Sequence, residues 1–86
     1  METRVAIIGI IVEENAEASI EKMNHLLHEY AVYIIGRMGV PYHKRNVSLI
    51  SVMMDAPADM ISALSGKLGM LEHISTKTIY SLIGGK

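Results

Sequence analysis

The chain has no cysteine, no phenylalanine and no tryptophan, and only two prolines. Without thiolates it cannot build a Cys-held zinc or iron–sulfur centre, a disulfide or a thiol redox switch. Small secreted domains ordinarily depend on disulfides, so a cysteine-free chain of 86 residues is expected in the cytoplasm. Net charge is also lacking: eight Lys and Arg against nine Asp and Glu leave a formal −1. Direct nucleic-acid binding draws on a basic surface that releases counterions, and none is offered here. The longest apolar run, residues 5–12, falls far short of the ~20 residues that span a bilayer. It also lacks the basic start and small-residue cleavage site of a signal peptide, so no membrane partner is expected.

Half of the residues are hydrophobic, and seven Met with four Tyr supply the large side chains. Met fills irregular cores and adaptable interfaces. The length suits a single domain over residues 1–86, with residues 84–86 as a loose tail. Residues 4–13 read as a strand whose two faces are both apolar, Val5, Ile7, Gly9 and Ile11 against Ala6, Ile8, Ile10 and Val12. Asn15 is placed to cap a helix with Ala16, Ile20, Met23, Leu27 and Tyr30 on its buried stripe. A second strand is expected over residues 31–38, a turn-rich connection over 39–46, and a third strand over 47–54. Asp55 or Ala56 then caps a helix that carries Pro57 in its first turn, buries Met60, Ile61, Leu64 and Leu68, and ends at Gly69. Residues 73–83 complete the set as a fourth strand.

The resulting order is βαββαβ, an α+β domain of ferredoxin-like type: a four-stranded antiparallel sheet with both helices on one face. The opposite face is apolar and would be exposed in a monomer. The chain is therefore expected to self-associate as a homodimer or homotetramer, and Ile8, Ile10, Val12, Ile50, Val52 and Met54 are the interface candidates.

Catalytic patterns are missing. Glu13 and Glu14 are adjacent and point apart, and no nucleophile elbow is present, so the chain is not expected to be an enzyme. Ser65-Gly66-Lys67 superficially resembles a phosphate loop but lacks the earlier Gly and has Leu68 where Ser or Thr would hold magnesium. A helix terminus is the plainer account of that stretch. His25 and His28, three apart on a helix, could share a metal if a carboxylate or a second subunit completed the shell; no resident cofactor is implied. Arg37, before the Gly39-Val40-Pro41-Tyr42 turn, could clamp a carboxylate or phosphate, or form a salt bridge. Arg37, Tyr42 and Lys67 are the candidate ligand-binding residues.

Three segments together carry a resemblance: Asn24-His25-Leu26-Leu27-His28, Arg37-Met38-Gly39-Val40-Pro41-Tyr42 and Ala63-Leu64-Ser65-Gly66-Lys67-Leu68-Gly69. Over nearly its whole length the chain resembles the iron-only hydrogenase system regulator family. The resemblance implies an ACT-like fold, similar to the C-terminal domain of the nickel-responsive repressor, and a regulatory role toward a protein or a small effector. The Cys of that repressor's nickel site has no counterpart here, so its metal centre does not carry over. ACT domains commonly bind effectors near the first strand-to-helix loop, which here is the acidic Glu13-Glu14-Asn15.

Overall fold

A computed structural model describes residues 2–81. Strand β1 (Arg4–Val12) leads into helix α1 (Glu17–Glu29), and a single 3-10 turn (Ala31–Tyr33) delivers the chain to β2 (Ile34–Tyr42). A second 3-10 turn (His43–Arg45) precedes β3 (Val47–Ala56), followed by α2 (Ala58–Gly69) and β4 (Ile74–Tyr80). The sheet is antiparallel throughout, in the order β2-β3-β1-β4, with β1 and β3 central. This is the expected ferredoxin-like arrangement.

The core forms between the sheet and the two helices. β1 contributes Ala6, Ile8, Ile10 and Val12, β3 contributes Val52, Met54 and Ala56, α1 contributes Met23 and Leu27, and α2 contributes Ile61, Leu64 and Leu68. Register brings the strand residues side by side, Ala6 opposite Met54 and Ile8 opposite Val52. Five of the six interface candidates, Ile8, Ile10, Val12, Val52 and Met54, thus lie in the core beneath the helices, and Ile50 is half-buried at its margin. The bare face is the other one, formed by the odd-numbered residues of β1 and β3. Period-2 alternation separates two faces, but with both apolar it does not tell which one receives the helices.

Several boundaries differ from the sequence reading. Asn15 does not cap α1: it turns the chain with φ 62, and Ala16 stands at the cap without a side-chain bond. Residues 31–33 are a 3-10 turn, and Gly39, Val40, Pro41 and Tyr42 continue β2 to the sheet's end. An edge strand accepts Pro, since its missing N–H faces away from the ladder. β3 runs two residues further than expected, so Pro57, not Asp55 or Ala56, caps α2. The reversal after α2 is completed by His73, with φ 63. β4 ends at Tyr80, and the proposed tail at residues 84–86 lies outside the described residues.

A polar seam ties α2 to β4. Ser62 Oγ and Tyr80 Oη lie 2.9 Å apart, Ser65 Oγ and Thr78 Oγ1 2.6 Å, and a Cβ added at Gly69 would stand 3.5 Å from Thr76 Oγ1. Alternate residues of the strand therefore meet successive turns of the helix. Leu64→Ala is expected to lower the unfolding free energy by about 2–5 kcal/mol in a urea titration. Ile79→Ala, on the bare face, should change the stability of a monomer by less than about 0.5 kcal/mol. Equal losses at the two positions would show that both faces are sealed within one chain.

Candidate functional site

Three surfaces are arranged around β2 and the bare face. The first is the bare face itself. Val5, Ile7 and Ile11 of β1, Leu49 and Met53 of β3, Met38 and Val40 of β2 and Ile79 of β4 share it, flanking Gly9 and Ser51 at its centre. A bulge between Ile34 and Gly36 turns Ile35 out beside them, 67% exposed. Two shallow troughs of about 560 and 490 Å3 cross the face on either side of its middle. Lys77, opposite Gly9, is the charge nearest the centre.

The second surface is a groove between α1 and β2, lined by Asn24, Leu27, His28, Ala31, Ile34 and Arg37. Arg37 pairs in register with Val52, a core residue, so its side chain projects on the helix side of the sheet. The third is a cleft at the opposite end of β2, where Glu13, Glu14, Asn15 and Glu17 face Pro41, Tyr42, His43 and Asn46.

The three ligand candidates therefore do not form one site. Arg37 and Tyr42 are separated by five residues of extended strand, roughly 16 Å, and line different cavities. Lys67 is on α2, where its Nζ donates a hydrogen bond of 3.0 Å to Tyr30 Oη. The ammonium lies 5.2 Å from the ring centroid, beyond the hydroxyl, so the hydrogen bond and not the ring face holds it. That bond raises the lysine's pKa above its ordinary 10.5, assisted by charge interactions with Tyr30 and Glu29. Lys67 is thus a strut between the end of α1 and α2. The two metal candidates also diverge: His25 lines a hollow with Glu21 and Lys22, while His28 faces the β2 groove. Among the described residues no group of three or more His, Asp or Glu is placed to hold a metal ion.

Reading the sequence missed the outward residues of β1 and β3 as the free surface, and it missed Asn24 as a companion of Arg37. The four-residue spacing of Asn24 and His28 was the available signal for the latter.

A family model described as "Iron-only hydrogenase system regulator, putative" (TM1266-like) matches residues 4–78. The chain belongs to this family. Among solved structures, protein TM1266 from Thermotoga maritima is 35% identical with a TM-score of 0.88, covering 93% of this chain and 99% of that one. The ACT domain of a GTP pyrophosphokinase from Chlorobium tepidum superposes with a TM-score of 0.73 at 14% identity, covering 90% of this chain and 99% of that domain. The second likeness establishes an ACT-type fold for the TM1266-like chain. No curated protein matches the sequence. Among the described residues no helix is long and apolar enough to cross a membrane.

The Lys67 strut has a pH signature. Because the folded pKa is raised, its contribution to stability is complete below the ordinary lysine value of 10.5 and is lost as pH rises through the higher folded value. Solvent screening keeps the effect small, since the group is exposed. Chemical denaturation across alkaline pH is expected to show a shallower loss of stability in Lys67→Met than in the wild type. Identical slopes would mean that the bond to Tyr30 is not maintained in solution.

Proposed function

We propose that this TM1266-like chain is a non-enzymatic regulatory module of an iron-only hydrogenase system, working in the cytoplasm as a homodimer or homotetramer. The observation that carries this reading is the bare face of the sheet in a member of a regulator family. Four strands at about 4.8 Å spacing, each presenting three or four outward residues, make a patch of several hundred Å2. Monomers rarely expose an apolar patch of that size, and a stable interface buries about 800 Å2 on each partner. A second copy is the occupant that best fits. The surface is mostly aliphatic or Met, carries little charge and can match itself across a two-fold axis.

The non-enzymatic part rests on the side-chain chemistry. Hydroxyls at Ser62, Ser65, Thr78, Tyr80 and Tyr30 bond to one another or to Lys67, and no hydroxyl in these pairs is joined to an imidazole or carboxylate. A regulated protein or a small effector is the natural partner, and the formal charge of −1 argues against direct contact with nucleic acid.

Sedimentation velocity at micromolar concentration tests the assembly. The wild type is expected to sediment as a dimer or tetramer. Ile7→Glu places a carboxylate among Met53 and Ile79 and should yield a folded monomer, because an unpaired charge is not tolerated in an apolar interface. A monomeric wild type would overturn the homo-oligomeric reading.

A further inference from the structure

The groove between α1 and β2 has a donor set that the regulatory reading leaves unused. Asn24 and His28 lie one turn apart on the same stripe of α1, and Arg37 comes from the helix-facing side of β2. With Leu27, Ala31 and Ile34 they line a cavity of about 340 Å3. No Asp or Glu lines it, and the Arg37 guanidinium has no ion-pair or hydrogen-bond partner among the described residues. A guanidinium fork, an amide and an imidazole can all donate toward one point, and a carboxylate, which only accepts, is their complement. The remaining walls are aliphatic. Two facts restrict the charge and size of the occupant. The cavity includes one permanent cation and adjoins the C-terminal end of α1, whose free carbonyls oppose additional negative charge. Its volume is also near the low end of the ~300–1,000 Å3 typical of small-molecule sites.

We propose that this groove binds a small monocarboxylate with a short aliphatic chain. Arg37 grips the carboxylate bidentately, Asn24 and His28 complete its hydrogen bonds, and the chain lies against Leu27, Ala31 and Ile34. The proposal names an effector class for the regulatory reading and rests on that reading only for its biological consequence. A route to that consequence is built into β2. Arg37 and Met38 are consecutive on this edge strand, so a ligand held on the helix side draws on the same backbone that presents Met38 and Val40 to the proposed subunit interface.

Two-dimensional amide NMR tests the site, with butyrate, n-butanol and inorganic phosphate as separate probes. Butyrate is expected to cause saturable shifts in the second half of α1 and around residues 34–37, with n-butanol inactive and phosphate weaker. Arg37→Gln should weaken butyrate binding about tenfold or more, since it removes a charge-assisted pair of bonds. His25→Gln, outside the groove, should bind as the wild type does. The absence of saturable butyrate shifts overturns the proposal, as do n-butanol or phosphate binding equally well or undiminished affinity in Arg37→Gln. Subunit counts from native mass spectrometry on the same samples separate the two readings. A monomer that binds butyrate defeats only the oligomer, and an oligomer that does not bind it defeats only the carboxylate site.

Discussion

Strand β1 is apolar on both sides, and the rest of the molecule is arranged around that property. Its even-numbered residues, Ala6 to Val12, meet Val52 and Met54 of β3 and the stripes of the two helices, and this contact forms the core. Its odd-numbered residues, Val5, Ile7 and Ile11, are equally apolar and remain about half exposed. Burial of aliphatic surface stabilises by roughly 25 cal/mol per Å2 removed from water. One chain realises that gain on one side of β1 and leaves it unrealised on the other. A domain of this size has little stability to spare, and the exposed side is the surface on which the proposed association rests.

The two edges of the sheet are treated differently. At β4, hydroxyl pairs from α2 fasten a helix along the strand. At β2, α1 comes near at both ends, Glu17 and Ile20 beside Pro41 and Tyr42 and Asn24, Leu27 and His28 beside Ile34 and Arg37, yet the strand remains exposed along most of its length. The Ser-Gly-Lys-Leu-Gly stretch belongs to the fastened edge: Ser65 binds Thr78, Lys67 binds Tyr30 and Leu68 is in the core. Its role is structural cohesion between α2, α1 and β4, which explains why a motif that looks like part of a phosphate loop holds no phosphate geometry. The exposed edge, by contrast, carries Arg37 and the apolar Met38 and Val40 on opposite faces. The proposed ligand groove and the proposed association face therefore share this exposed edge strand.

Much of the architecture was legible from pattern. Aliphatic runs bounded by charged or turn residues placed four strands, and helical spacing of Met23 and Leu27, then of Ile61, Leu64 and Leu68, placed two helices on their buried sides. Local turn chemistry was less reliable. Asn15 and His73 both adopt left-handed conformations that propensity would assign to caps or strand starts, because the chain must reverse there to meet the sheet. Pro41 suggested a break, yet the strand passes through it, since β2 is an edge and no partner requires that N–H.

By itself the sequence determined the order of elements, the ferredoxin-like class, the absence of thiol chemistry and the presence of two apolar sheet faces, since each follows from residue type and short-range period. Only the tertiary structure decided which face is core. Alternation is symmetric under exchange of faces, and the choice depends on where the helices cross. The tertiary structure also separated Arg37 from Tyr42 and Lys67 and brought it to Asn24 and His28. Neighbours along a strand point apart or lie many ångströms away, whereas residues on different elements meet only when packing brings those elements together.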